Sequence, residues 1–262
     1  MGVLRSPAMR APIALLTALA LAPLAPDARA QAPAAADSGL LVIYDQKTPV
    51  AHEHYTYQFM GDSLVVTATT ERQFMDQNGQ RRPLTKVMYL VVDAHDLGLM
   101  RYLSNQDFNG HKQVRGLTPT DTVLTYYREY DGLGSADRVV QPPGRLFVLD
   151  PQSFTLFDVL CRSLVGKEFE TRRVQLLAMA PDTLGTPLAM ITLHKPDTLR
   201  VGARRVALRH YSLDDHGVRF ELWADARGRM VRMANEPTGL SVVRVEQPAP
   251  SDRARSRKPV PR

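Results

Sequence analysis

The stretch from His216 to Glu246, HGVRFELWADARGRMVRMANEPTGLSVVRVE, leaves the chain little choice of architecture. Val218, Phe220, Leu222 and Ala224 alternate with Arg219, Glu221, Trp223 and Asp225, and a period of two places the two sets on opposite faces of a strand. The strand stops at Asp225-Ala226-Arg227-Gly228, where the carboxylate accepts from the following backbone and glycine supplies the left-handed conformation of a tight hairpin. Met230 to Ala234 return, Asn235, Pro237 and Gly239 turn again, and Leu240, Val242, Val243 and Val245 form a third strand. Such a meander is antiparallel by construction. Trp223, the one tryptophan, faces away from Phe220 and Leu222, so it packs in a second core layer or lines a cleft.

The preceding residues repeat the theme. Leu40 to Tyr44, His52 to Met60, Ser63 to Phe74 and Thr85 to Asp93 read as strands separated by short polar turns. Val87 to Val92 is apolar on both faces, the composition of a strand covered on both sides. Leu99 to Ser104, Lys112 to Arg115 and Val123 to Tyr130 continue the series, and GLGSADRVVQPPG reads as a turn-rich connection to Leu146 to Leu149. Phe169 to Met179, Pro187 to His194 and Arg204 to Leu213 lead into the closing meander. One helix is expected, with Asp150 as N-cap, Pro151 in its first turn and Gly166 at its end. Phe154, Phe157, Cys161 and Leu164 fall on one face of it, a stripe that needs burial. Roughly ten to twelve strands exceed what a flat sheet sustains. The expected fold is therefore mainly β: a single curved antiparallel sheet, a half-barrel or barrel, enclosing one α-helix.

Two groups of residues resemble a known pattern. Leu222-Trp223, Asp225, Gly228, Arg229 and Arg232 before an apolar strand are similar to the C-terminal hairpin of several uncharacterised families of exported bacterial β-sheet proteins. Leu41-Val42-Ile43-Tyr44, a turn with Pro49, then Glu53 and Tyr55 resemble their opening hairpin, with Ala51 where those families would have glycine. The resemblance implies a half-barrel around a helix, like that of the Lol-type lipoprotein carriers, without an established enzymatic activity.

The two ends of the chain have a different composition. Residues 1–30 have the form of a signal peptide: Arg5 and Arg10, an apolar run from Ala11 to Leu24, and Ala28-Arg29-Ala30 as cleavage site. Pro23, Pro26 and Asp27 interrupt the run before it reaches the roughly 20 residues of a membrane span, and no later segment of the mature chain is long and apolar enough to be a transmembrane helix. Residues 31–38 read as an Ala/Pro linker, 39–246 as the β domain, and 247–262 as a disordered basic Pro/Arg tail. A periplasmic or extracellular location follows. The formal net charge is +6, but residues 1–30 hold three basic and one acidic residue and the tail five and one, leaving 25 of each between them. A neutral body does not suit nucleic-acid binding, and none is expected. The tail offers at most loose adhesion to anionic surfaces, at about 1 kcal/mol per charge. The single cysteine, Cys161, precludes an intrachain disulfide.

The chemical motifs are sparse. Met60-Gly61-Asp62-Ser63-Leu64 spells the nucleophile block of the GDSL lipases and esterases, but strand residues follow Ser63 where that chemistry needs a helix. His52 and His54 share a strand face at chelating spacing without a visible third ligand. Tyr126, Tyr127 and Tyr130 among charges read as an exposed strand rather than a sugar platform. No glycine loop for phosphates is present, and no cofactor, metal or catalytic residue is expected. The leading expectation is a non-catalytic envelope protein that binds a lipid, another apolar ligand or a lipidated partner between sheet and helix, through Phe154, Phe157, Leu164 and Trp223. The alternatives are an interaction module with a packed interior, and an esterase-like hydrolase using Ser63. The oligomeric state is left open.

If residues 1–30 are a signal peptide, N-terminal sequencing of the protein from the envelope fraction of its own host will start at Gln31. A chain that keeps Met1 and sediments with membranes would contradict that assignment.

Overall fold

The computed structural model describes residues 37–75, 78–141, 143–179, 188–201 and 204–245. All belong to the compact unit Pro33–Arg262. The segments read as signal peptide and basic tail lie outside the described residues, as do positions 31–36 of the linker. Asp37 and Ser38, the last two linker positions, already belong to the first strand.

Sixteen strands form one curved, unclosed sheet. From one edge it runs β8 (Leu133–Val140), β7 (Val123–Tyr130), β6 (His111–Pro119), β5 (Leu99–Phe108), β4 (Arg81–Asp93), β3 (Ser63–Met75), β2 (Thr48–Met60) and β1 (Asp37–Asp45). It continues through β16 (Leu240–Val245), β15 (Met230–Asn235), β14 (Val218–Ala224), β13 (Arg204–Asp215), β11 (Ala189–Leu193) and β10 (Thr171–Ala178) to β9 (Leu146–Leu149). β12 (Asp197–Val201) pairs only with the first half of β13. The β9–β10 pair is parallel, against the antiparallel expectation, because α1 (Thr155–Ser163), the one α-helix among the described residues, lies between these strands and returns the chain in the same direction. The β1–β16 pair joins the opening hairpin to the closing meander, so the first and last described strands meet in the middle of the sheet.

Two of the sixteen strands, β8 and β12, fall outside the segments read as strands, for identifiable reasons. GLGSADRVVQPPG contains β8, whose residues are all exposed, so no apolar alternation announces it. β12, with five residues, is shorter still. The Val87 to Val92 run is covered on its inner side only: Met88, Leu90 and Val92 are buried, while Val87 is 47% and Tyr89 37% exposed.

The helix differs most. It begins at Thr155, four residues after Pro151, with Phe154 rather than Asp150 at its N-cap, and ends three residues before Gly166. It is also buried on every side: besides the expected stripe, Leu156, Val159 and Leu160 are enclosed. A helix enclosed on every side is a core element, and the sheet wraps it. The β14–β15 turn closes directly over its C-terminal end. A Cβ at Gly228, whose φ is +77°, would stand 2.3 Å from Val165 Cγ2 and 2.8 Å from the Arg162 Cα.

Gly61, with φ +60° and open space around it, isolates the conformational part of such a change. Gly61→Ala should cost about 1 kcal/mol in urea unfolding. Gly228→Ala, which adds a clash with helix backbone, should cost roughly 2–4 kcal/mol. Equal losses would mean that this turn does not seat the helix.

Candidate functional site

The concave face carries a row of polar side chains set by strand register. On β2 the inward positions are Ala51, Glu53, Tyr55 and Tyr57, and on β4 Leu84, Lys86, Met88, Leu90 and Val92. Glu53 pairs across to Thr70 of β3, and Thr70 to Lys86 of β4, so the three stand side by side on the inner wall, all buried. Above them passes the segment 150–154 that leads into α1.

Glu53 receives the start of the helix. Its carboxylate accepts from the backbone N–H of Phe154 at 2.8 Å and of Thr155 at 2.6 Å, and from the hydroxyl of Thr155. The Thr70 hydroxyl stands 2.8 Å from the same carboxylate and 2.9 Å from the Gln152 carbonyl. A carboxylate from the sheet thus does what an N-cap side chain does within a helix, satisfying the first unpaired N–H groups and facing the positive end of the dipole. Asp150 is held in the interior by a second set. Lys86 Nζ lies 2.6 Å from its Oδ1 and donates to the Pro151 carbonyl at 2.5 Å. Tyr102 and Ser104 donate to Oδ2, the latter at 3.0 Å, and Arg115 Nη1 reaches Oδ1 at 3.4 Å.

A third carboxylate holds the far half of the helix. Asp158 accepts from Tyr57 at 2.6 Å, from Arg162 Nε at 2.8 Å, from the Met230 backbone N–H at 2.6 Å and from Arg244. Arg162 also pairs with Asp37 and stacks 4.2 Å from the centre of the Tyr57 ring. Burial raises the pKa of Glu53 and of Asp158 despite these donors and lowers that of Lys86. Burial likewise pushes the Cys161 thiol up, which keeps it protonated and inert.

Between these locks and the open end of the sheet lies a cavity of about 650 Å³. Leu149, Phe154, Phe157, Phe220, Met233 and Leu240 make its apolar wall, and Phe157 and Phe220 meet with ring centres 5.0 Å apart. Arg72 and Gln152 also border it. Of the four residues expected to line a ligand site, the structure brings two, Phe154 and Phe157, to this cavity. Leu164 lies at the other end of the helix, against a smaller cavity bordered by Arg145, Lys167 and Arg172. Trp223 is on the outer side of the sheet, in a small second core with Leu208 and Ala234 under Leu199 and Val206, and its indole donates to Asp197 at 3.1 Å. It is core, not cleft, because the β12–β13 hairpin covers it.

The other motifs resolve simply. Gly61-Asp62 is a turn with Gly61 in the left-handed region, and Ser63 opens β3 with its hydroxyl 3.6 Å from Met100 Sδ. His52 and His54 are exposed, and no group of three metal-ligating side chains occurs among the described residues. Glu53, Lys86 and Arg72 were not singled out as site residues by the sequence. Their signal was a charge at an inward position of an otherwise apolar alternation.

The raised pKa of Glu53 has a pH signature. A group whose folded pKa exceeds its unfolded value of 4.5 contributes fully below that pH, and the contribution is lost as pH rises through the folded value. Glu53→Gln sets an amide N–H against a backbone donor and should cost about 1–3 kcal/mol. In urea titrations of both proteins that gap should be largest near pH 4 and narrow toward pH 7. A gap that widens with pH would place the Glu53 pKa below 4.5 instead.

No family model and no curated protein matches the chain. Among solved structures it is similar to a β-barrel-like protein of a domain of unknown function, DUF1849, from Brucella abortus. That likeness has 10% identity and a TM-score of 0.46, over 79% of this chain and 94% of that one. It is also similar to a DUF1089 family protein from Pseudomonas aeruginosa, at 12% identity and a TM-score of 0.41, over 68% of this chain and 87% of the other. No similarity to a Lol-type carrier is shown.

Proposed function

We propose that the protein is an exported, non-catalytic component of the bacterial cell envelope, periplasmic or extracellular, that holds the apolar chain of a lipid or of a lipidated partner. The observation that carries this reading is the cavity at the N-terminal end of α1. Its volume of about 650 Å³ lies within the range of small-molecule sites. Most of the residues that line it are apolar. Each methylene moved from water into such a site contributes about 0.8 kcal/mol, so a single long chain supplies the binding energy without any chemical step. The buried carboxylates beside it act as structural anchors, because their acceptors are engaged by donors of the fold itself. The resemblance of both chain ends to envelope families with the half-barrel of the Lol-type carriers supports the same reading.

The test is native mass spectrometry of the mature protein, purified gently from its own envelope and compared with its denatured mass. A reproducible extra mass of lipid size is expected. Ala178, half-buried at the end of β10 and bordering the cavity, offers the control. Ala178→Trp should fold normally by circular dichroism yet lose at least about tenfold in ligand occupancy, the equivalent of 1.4 kcal/mol. Protein that stays bare after incubation with extracted envelope lipids would overturn the proposal. The working surface would then lie elsewhere, with the exposed Val87 and Tyr89 on the outer face of β4 as the first place to look.

A further inference from the structure

The cavity is not uniformly apolar. Register places Arg72 of β3 on the concave face, opposite Ala51 of β2 on one side and Leu84 of β4 on the other. Its Nε is buried and has no hydrogen-bond partner, and the same holds for Oε1 of Gln152. Both residues border the cavity, and Arg72 is the one cationic side chain that does so among the described residues. Gln152 is held there by a backbone in the left-handed region, φ 66°, which a non-glycine residue adopts only under constraint.

The acids at hand do not answer Arg72. Asp150 is taken by Lys86, Arg115, Tyr102 and Ser104. Asp215 is engaged by His216 Nδ1 at 2.8 Å, and Asp45 stands exposed at the mouth. A buried guanidinium donor without an acceptor is destabilising, whereas an anionic group from a ligand would complete it in a charge-assisted bond. The Gln152 amide, turned by half a revolution about χ3, presents its N–H₂ to the same group.

Resting on the reading of this cavity as an apolar-chain site, we infer that it selects amphipathic acids. The ligand is a single long alkyl or acyl chain ending in one carboxylate or phosphate. Its head pairs with Arg72 and Gln152, and its chain runs along Phe154, Phe157 and Phe220. Arg72 sets the class of ligand, and the aromatic wall sets most of the affinity.

Equilibrium dialysis of the mature protein against hexadecanoate, hexadecyl phosphate and hexadecanol separates the two contributions. The wild type should bind at least one of the acids about ten- to a hundredfold tighter than the alcohol, the worth of a charge-assisted hydrogen bond, and the tighter acid identifies the head group. Arg72→Met should bring acid and alcohol to within about threefold, with its fold checked by circular dichroism. Arg72→Lys, which keeps the charge but not the planar fork, should retain part of the preference. Hexadecanol bound as tightly as both acids by the wild type, or a preference that survives in Arg72→Met, would overturn the inference and leave the apolar-chain reading intact. Failure of all three compounds to bind would overturn both.

Discussion

The structure turns on the hydrogen bonds between the Glu53 carboxylate and the first backbone N–H groups of the helix. A helix of nine residues is too short to be stable alone and begins with unpaired donors. Here those donors point into the interior of a sheet, where an unmet N–H costs more than it would in water. Glu53 meets two of them from a position on β2 that the alternation would assign to an apolar residue. The helix is thereby fixed in depth and direction on the concave wall. Asp158 completes the arrangement from the opposite side, as a helix carboxylate bound by donors of β2, β15 and β16.

The cavity follows from how the helix starts. Had it begun at Pro151, as local capping preferences suggest, its first turn would run toward the open end of the sheet. Instead Asp150 is drawn to Lys86 and Arg115, and residues 150–153 form a turn closed by the Ser153 N–H donating to the Asp150 carbonyl at 3.1 Å, with Gln152 in a left-handed conformation. The inside of the sheet near the β1–β2 and β13–β14 turns is left as a space lined by side chains rather than filled by a helix turn. The same displacement brings Gln152 to the cavity that Arg72 borders, so the electrostatic character of the cavity and its existence share one cause.

The paired strands β2 to β4 show how far local pattern reaches. Their existence was legible in the residues, but not the inner face of β4: Val87 to Val92 reads as covered on both sides, whereas Met88, Leu90 and Val92 are buried and Val87 and Tyr89 are exposed. What alternation did not convey was that the charged members of the inward set, Glu53 and Lys86, face inward with the rest. Desolvation makes an inward charge improbable until a partner is known, and the partners here, Phe154, Thr155 and Asp150, are distant in sequence. β8 and β12 were missed for the opposite reason: they are stabilised by backbone pairing with a neighbour and carry few buried side chains.

The amino-acid sequence by itself determined the mainly β class, the antiparallel meander at the C-terminal end, the existence of one buried helix, and the strong apolar content of its face, because these depend on periodicities of two and 3.6 residues that any short window displays. Tertiary structure alone decided where the helix begins, that Trp223 is core while Phe154 and Phe157 border a cavity, and that Arg72 stands unpaired within it. Each of these depends on which strands become neighbours. Register across a curved sheet, and the pairing of a charge with a donor a hundred residues away, are properties of the assembled chain that no local periodicity encodes.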